Sequence, residues 1–209
     1  MATQFSHPSG LLGRLVSRML AKGNAGFNVW LVDQLQTAVP NPGLVIELGC
    51  GPGVALQKLL AAYPRSRIVG IDPSPVVLKS ARRRTSAAIA AGRLELVTGD
   101  SSKAPGFGPA DLIVATHVLY FLTDPVRQLN KVGEALSPSG RLALGYQLRQ
   151  NMPPMAQRNF PEQGFILYDS DEQLADVLTE AGFNRPEIRL FGDQDRPGGR
   201  LALTTLSSQ

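Results

Sequence analysis

The sequence predicts an α/β fold, a doubly wound sheet of seven mostly parallel strands that ends in an antiparallel hairpin. From residue 44 onward, short apolar runs alternate with helical patterns of about 10–15 residues, which is typical of parallel strands joined by crossover helices. The last two apolar runs are joined by the Gly-rich segment 192–199, which indicates a hairpin. A chain of 209 residues, 43% of them hydrophobic, is long enough for one domain with a substantial core.

The first 43 residues are predicted to form a helical lid (residues 1–43) ahead of the sheet domain (residues 44–209). Apolar residues recur at helical spacing over residues 11–38, which indicates one or two amphipathic helices. Phe27 and Trp30 are expected to face a substrate in such a lid. The alternative is that these helices simply pack on the sheet.

Each element of the sheet domain follows from a local pattern. Ser74 and Pro75, for example, predict the start of a helix, as its N-cap and first residue. The predicted order is strand 44–48, helix 54–62, strand 67–71, helix 75–90, strand 93–98, strand 111–115, helix 124–136, strand 141–146, a capped helix from 170 to 181, and strands 186–191 and 200–206. Residues 148–168 are predicted to form a long ordered loop at the carboxyl end of a strand, where open α/β sheets bind ligands.

Three glycines at alternate positions directly follow the first strand: Gly49, Gly51 and Gly53. Such a turn lets the backbone approach a ligand, and the amides at the start of the next helix can bind a polar or anionic group. Asp72, 19 residues after Gly53, ends the second strand, where a carboxylate can accept hydrogen bonds from ribose hydroxyls. Asp100 follows the third strand and is placed to accept from an adenine amino group. The structural alternatives are a tight glycine turn without a ligand, a helix or turn cap at Asp72, and a turn-forming role for Asp100.

Five segments carry motifs in a fixed order: Glu47–Gly53, Gly70–Ser74, Thr98–Asp100, Asp111–His117 and Leu136–Arg141. Together they resemble the successive motifs of class I S-adenosylmethionine-dependent methyltransferases. The resemblance implies a Rossmann-like methyltransferase fold, S-adenosyl-L-methionine as the cofactor and methyl transfer as the activity. A looser similarity, to the methyltransferases of ubiquinone and menaquinone biosynthesis, implies a small-molecule acceptor. The apolar lid and loop favour an aromatic, quinol-like or lipidic one.

The resemblance also assigns residues to the methionine portion of the cofactor. Gly49, Gly51 and the backbone around Cys50 would line it, within the loop that ends at Gly53. Glu47 would support the loop or bind through water. Thr116, at the end of the fourth strand, would offer its backbone near the methionine amino group. Cys50 occupies the usual cysteine position of that loop and is interpreted as a small packing residue, not a nucleophile.

The adenosine portion is assigned to the second and third strands in the same way. Asp72 would hold the ribose hydroxyls, with Pro73 against the adenine ring. Asp100 and Ser101 would contact the adenine edge.

Two residues just after the fourth strand are the catalytic candidates, His117 and Tyr120. Methyl transfer from a sulfonium is a direct displacement, so alignment and exclusion of water do much of the work. A base is needed only if the acceptor must lose a proton, and His117 is predicted to be that base. Tyr120 is predicted to position the acceptor. The alternatives are that His117 packs on the cofactor or caps the next helix, and that Tyr120 is buried.

Two other functional classes stay open. An NAD(P)-binding oxidoreductase shares the strand, glycine, helix and acid pattern, although the G-x-G-x-G spacing and the terminal hairpin argue against it. A cofactor-binding or interaction module without methyl transfer would keep the same motifs. Within methyltransferases, the sequence Ala115–Val118 lacks the Asn/Asp-Pro-Pro-aromatic signature of enzymes that methylate base amino groups.

Composition limits the partners. One cysteine and two histidines argue against a disulfide framework and a metal site, so no metal is expected. The net charge is +4, and the basic run 82–84 lacks the interleaved aromatic residues of a nucleic-acid patch. No apolar run approaches the roughly 18 residues of a membrane helix, and residues 1–10 do not resemble a secretory signal, so a cytoplasmic protein is expected. Arginines on the predicted helix 11–20 leave a membrane-surface contact open.

Overall fold

The computed structural model describes residues 25–162, 164–193 and 197–207. Of the predicted lid, residues 25–43 are therefore described. The predicted helix 11–20, and the membrane contact considered for it, lie outside the described residues.

The described residues form one seven-stranded sheet. Its strands are β1 (Leu44–Leu48), β2 (Arg67–Asp72), β3 (Leu94–Thr98), β4 (Ala110–Thr116), β5 (Leu136–Tyr146), β6 (Glu187–Gly192) and β7 (Pro197–Thr204). They lie in the order β3-β2-β1-β4-β5-β7-β6. Strands β1 to β5 pair in parallel, whereas β7 is antiparallel to both β5 and β6. The predicted fold class, a mostly parallel sheet that ends in an antiparallel hairpin, is confirmed.

Helices cover both faces of this sheet. They are α1 (Ala25–Ala38), α2 (Val54–Ala62), α3 (Pro75–Arg84), α4 (Ser86–Ala90), α5 (Pro125–Gly133), α6 (Pro154–Glu162) and α7 (Asp171–Glu180). Residues such as Leu31 of α1 and Leu56 of α2 form the core on one face. Residues such as Leu129 of α5 and Leu174 of α7 form the core on the other. Because both faces are covered, the central strands β1 and β4 are apolar almost throughout, and Glu47 of β1 is the main exception.

Capping explains where several helices begin. The Ser74 hydroxyl accepts a hydrogen bond from the Val77 amide, with Pro75 at the first helical position of α3. The Ser170 hydroxyl accepts from the Gln173 amide and starts α7 in the same way. Both starts agree with the sequence prediction.

Three predicted segments differ from the structure. The predicted helix 75–90 is two helices, because the buried Thr85 leaves the helical conformation and donates its hydroxyl proton to the Ala81 carbonyl oxygen (2.9 Å). The predicted loop 148–168 instead contains a 3₁₀ turn followed by α6. Strand β5 begins at residue 136, not 141, because the chain pairs with β4 on both sides of an irregularity between Ala110 and Leu112.

Helix α1 lies close to the sheet at Gly145 of β5. A Cβ atom at Gly145 would lie 2.8 Å from Leu31 Cδ1, 2.9 Å from Phe27 Cε1 and 3.1 Å from Thr116 Cγ2. Real Cβ atoms essentially never approach other atoms within 3.0 Å. The missing side chain therefore fixes how closely α1 can approach the ends of β4 and β5.

We expect Gly145→Ala to destabilise the protein by about 1–3 kcal/mol, because the added methyl group overpacks the contact between α1 and the sheet. Gly106→Ala is the matched control, since a Cβ atom at Gly106 has nothing within 4 Å. Urea unfolding of both variants measures the difference. Equal stability of the two variants would show that the α1 contact adapts freely and is not set by Gly145.

Candidate active site

The loop after β1 requires glycine for two different reasons. Gly49, Gly51 and Gly53 have φ values of 63°, 55° and 82°, in the left-handed region that favours glycine. At Gly49 a Cβ atom would also lie 2.4 Å from Val118 Cγ2, so this position packs against the segment after β4. At Gly51 a Cβ atom would have only the Gly49 carbonyl oxygen within 4 Å, at 3.9 Å. The backbone of Gly51 therefore faces open space, where a ligand can approach it.

Asp72 fastens this loop to the end of β2. Its carboxylate accepts hydrogen bonds from the Gly51 amide (2.9 Å) and the Ser74 amide (2.8 Å), and the side chain is 8% exposed. An ionised carboxylate offers about four lone-pair sites. Asp72 can therefore hold the loop and accept further hydrogen bonds from a ligand.

Glu47 is a buried acid beside this loop. It alternates with Ile46 and Leu48 along β1, so it faces the side of the sheet covered by α1 and α2. It is 3% exposed, and its Oε2 atom has no hydrogen-bond partner among the described residues. Burial, together with the nearby Asp72 carboxylate, raises the pKa of Glu47 to about 8. The carboxyl group is thus mainly protonated at neutral pH.

The end of β4 brings two more polar groups to the same edge. The Thr116 hydroxyl oxygen is buried and has no partner among the described residues. His117 adopts a left-handed conformation (φ 57°), held by a hydrogen bond from its amide to the Gly145 carbonyl oxygen (2.7 Å). A non-glycine residue in this conformation is uncommon and is a reason to look for function.

The imidazole of His117 is neutral over most of the pH range. Burial lowers the pKa of His117 to about 4. Its Nε2 atom is buried and has no partner among the described residues. The ring lies 5.4 Å from the Phe27 ring and 6.3 Å from the Tyr120 ring, centroid to centroid. His117 therefore offers a free nitrogen within an apolar surround.

Tyr120 is already hydrogen-bonded within the protein. Its hydroxyl donates to the Gln147 carbonyl oxygen (3.3 Å) and accepts from the Gln147 amide. Burial raises the pKa of the Tyr120 phenol well above its ordinary value. These contacts connect the turn after β4 to the end of β5 and favour the buried alternative. Its predicted role toward the acceptor stays a prediction.

Ring side chains form a continuous aromatic wall along this edge. Phe27, Trp30 and Phe191 lie within 5.4–5.6 Å of one another, centroid to centroid. His117 connects this group to a second one on the other side. The members of the wall are Phe27, Trp30, His117, Tyr120, Phe121, Phe160, Phe165 and Phe191. No sequence pattern indicated Phe191, because its place on the edge strand β6 is set by the register of the hairpin.

The remaining predicted residues lie around the glycine loop and the ends of β2 and β3. Cys50 is buried, and its Sγ atom would be 3.1 Å from a Cβ atom at Gly70, as a packing role requires. Pro73 is exposed. The Asp100 carboxylate accepts from the Ser102 amide (2.9 Å) and caps a 3₁₀ helix, and these hydrogen bonds lower the pKa of Asp100. Ser101 borders an apolar cavity between the sheet and α5. Their contacts with adenine stay predictions.

Two further properties concern the described part of the chain. Residues 25–162, 164–193 and 197–207 hold no group of three or more His, Cys, Asp or Glu side chains that could bind a metal ion. Within the same ranges, no helix is both long enough and apolar enough to cross a membrane.

Comparison with known proteins connects this geometry to a family. Residues 46–142 match the model of a methyltransferase domain. The trans-aconitate 2-methyltransferase of Methylobacterium nodulans is 33% identical over 154 residues, which are 74% of this chain and 55% of that protein. The chain spans between 37% and 55% of the curated relatives of this name that we compared.

Two solved structures share the fold. Mitomycin 7-O-methyltransferase superposes with a TM-score of 0.73 at 19% identity, covering 99% of this chain and 60% of that one. An O-methyltransferase from neocarzinostatin biosynthesis, in complex with S-adenosylmethionine and 2-hydroxy-5-methyl naphthoic acid, has a TM-score of 0.63 at 19% identity. It covers 87% of this chain and 57% of that one.

We expect Glu47→Gln to raise the melting temperature above pH 8, by about 2–4 °C for each kcal/mol gained. Glu47 has a pKa near 8 in the folded protein and an ordinary value of 4.5 when unfolded. Its contribution to stability is therefore complete below pH 4.5 and is lost as the pH rises through 8. Glutamine keeps the shape without the charge.

Thermal unfolding between pH 5 and 9 measures this effect as the difference between variant and wild type. Glu95→Gln removes an exposed carboxylate on β3 and is the control, with no such trend expected. A difference that stays constant across the pH range would mean that Glu47 is not protonated in the folded protein.

Proposed function

The chain belongs to the class I S-adenosylmethionine-dependent methyltransferases, and we propose that it transfers a methyl group from S-adenosyl-L-methionine to a small-molecule acceptor. The observation that carries the proposal is the loop Gly49–Gly53, which Asp72 holds open beside buried polar atoms without partners. The family match favours this function over an NAD(P)-dependent oxidoreductase.

The residues present fit this cofactor. The open approach at Gly51 and the Asp72 carboxylate next to it suit a ribose beside the loop. Glu47 Oε2 and Thr116 Oγ1 are buried oxygens that lack donors, and an amino group supplies donors. The Asp72 carboxylate therefore provides negative charge, and Glu47 and Thr116 provide acceptor oxygens, for a cofactor that carries a positive sulfonium and an ammonium group. When bound, S-adenosylmethionine supplies an activated methyl group.

The protein's own contribution is alignment, exclusion of water and removal of a proton. Apolar rings on both sides of His117 keep water away from the edge of the sheet, which strengthens polar interactions there. Since the imidazole of His117 is neutral with a free Nε2 atom, we propose that it accepts a hydrogen bond from the acceptor hydroxyl and takes its proton as the new bond forms. The low pKa makes His117 a weak base, so its contribution should lie at the lower end of the usual range.

The aromatic wall supports an aromatic or quinol-like acceptor. Rings at centroid distances of 4.5–7 Å pack favourably, and the wall offers such neighbours to a flat substrate. The name of the Methylobacterium relative specifies a carboxylic acid acceptor, trans-aconitate. Arg200 of β7 is buried and paired with Asp171 (2.9 Å), so this cation is not available to an acceptor carboxylate. With the aromatic wall, this favours a ring-bearing acceptor.

We expect S-adenosylhomocysteine to bind the wild-type protein with micromolar affinity and NAD not to bind. Asp72→Ala should weaken binding at least about tenfold, or about 1.4 kcal/mol, because it removes ribose acceptors and releases the Gly51 amide. Isothermal titration calorimetry measures both. Unchanged affinity in a folded Asp72→Ala protein would remove Asp72 from the cofactor site, and binding of NAD alone would overturn the proposed function.

We expect methyl transfer to a phenol or quinol in a panel that also contains trans-aconitate, with kcat reduced about 10²-fold in His117→Asn. Asparagine tolerates the left-handed conformation but cannot take the proton, so the variant separates the base from the backbone. Mass spectrometry of products gives the acceptor, and calorimetry should give unchanged affinity for S-adenosylhomocysteine. Full activity in His117→Asn would exclude the base, and a methyl ester of trans-aconitate as the only product would overturn the aromatic acceptor.

A further inference from the structure

Asn28 is a buried amide on α1 that neither the fold nor the proposed chemistry has so far explained. The residue is 7% exposed, and its Oδ1 atom is buried without a hydrogen-bond partner among the described residues. A buried polar atom left unpaired costs about 1–3 kcal/mol. Such an atom in a helix indicates a partner that the described residues do not supply.

Contacts on the two flanks of α1 show which way Asn28 points. Arg189 of β6 donates to the Gln34 side chain (3.1 Å) on one flank, and Gln36 donates to the Ala62 carbonyl oxygen of α2 (3.2 Å) on the other. Successive residues of a helix are separated by about 100°. Asn28 therefore lies between the sheet-facing residue Leu31 and the flank of Gln36, so it faces α2 and β1.

The level of Asn28 along the helix follows from the same contacts. Both α1 and α2 begin at the carboxyl edge of the sheet, since Phe27 touches His117 there and α2 directly follows the glycine loop. Gln36 lies beside Ala62, the last residue of α2. Because parallel helices rise equally per residue, eight residues back places Asn28 level with Val54, the first residue of α2. Asn28 thus lies next to the loop that ends at Gly53.

We propose that Asn28 recognises the amino-acid end of the cofactor, together with Glu47 and Thr116. Glu47 is the next-to-last residue of β1 and Thr116 is the last of β4, both on the face that α1 covers, and each has a buried oxygen without a partner among the described residues. An ammonium group supplies donors for such oxygens, and the Asn28 amide can both accept from the ammonium and donate to the carboxylate beside it. This inference rests on the proposed function, but it concerns one part of the ligand.

A truncated ligand distinguishes recognition of the amino-acid end by Asn28 from a general effect of Asn28 on the fold. 5′-Methylthioadenosine keeps the adenosine and the thioether of S-adenosylhomocysteine but lacks the amino-acid end. Leucine is similar in size to asparagine but apolar. We expect Asn28→Leu to weaken the binding of S-adenosylhomocysteine, measured by calorimetry, at least about tenfold. Its affinity for 5′-methylthioadenosine should equal that of wild type. Its melting temperature should not fall, because the unpaired buried amide is removed.

Two further variants complete the test. Gln36→Leu removes an amide from the same flank at the other end of α1, and it should leave both affinities unchanged. Asn28→Asp keeps the size of the side chain but removes the donor to the ligand carboxylate and repels it. The variant should therefore also bind S-adenosylhomocysteine more weakly. It also provides a second readout if the leucine variant fails to fold.

The outcomes distinguish this inference from the proposed function. Equal loss of both ligands in Asn28→Leu would overturn the inference, because Asn28 would then act through the fold. Unchanged affinity for S-adenosylhomocysteine in the Asn28 variants, with normal binding by wild type, would overturn it alone. Wild-type protein that binds neither ligand would overturn the proposed function as well.

Discussion

The hydrogen bond from the Gly51 amide to the Asp72 carboxylate is the contact on which the geometry of the site depends. Strands β1 and β2 pair in parallel up to Leu48 and Ile71, so both end at the same level. Beyond that level, a single backbone hydrogen bond, from the Cys50 amide to the Ile71 carbonyl oxygen (3.1 Å), connects the left-handed glycine loop to β2. Asp72 supports this loop from one side, at Gly51. Val118 packs against it from the other side, at Gly49. The loop is thereby held open in a defined shape before any ligand arrives, which reduces the cost of ordering on binding.

The same arrangement is costly to the protein without its ligand. Among the described residues, buried side-chain atoms of Asn28, Glu47, Thr116 and His117 lack hydrogen-bond partners, and these four residues belong to one edge of the sheet. Buried polar atoms are normally satisfied, so their concentration here distinguishes the edge from the rest of the core. A protonated Glu47 and a neutral His117 are the response of the folded chain to burial. These unpaired groups lower the free energy of unfolding, and a ligand that pairs with them would raise it again.

Sequence patterns predicted the sheet better than they predicted the site. The parallel strands and the terminal hairpin follow from apolar runs and connection types, which depend on local composition. The split at Thr85 was missed because a single hydroxyl bonded to the Ala81 carbonyl oxygen leaves no mark on helical periodicity. Asn28 was not predicted either, because helical periodicity does not show that its amide is buried. A polar residue among the apolar residues of a helix was nevertheless a visible signal. Tyr120 is hydrogen-bonded to the backbone of Gln147, 27 residues away, and no local pattern reveals that contact.

Most of the aromatic wall lies outside the stretch that the family model matches. That model covers residues 46–142, which contain the glycine loop, Asp72 and His117. The rings outside it are Phe27, Trp30, Phe160, Phe165 and Phe191. The family model therefore constrains the reaction more than the substrate. A relative named for trans-aconitate can share the methyl-transfer chemistry while different side chains recognise its acceptor.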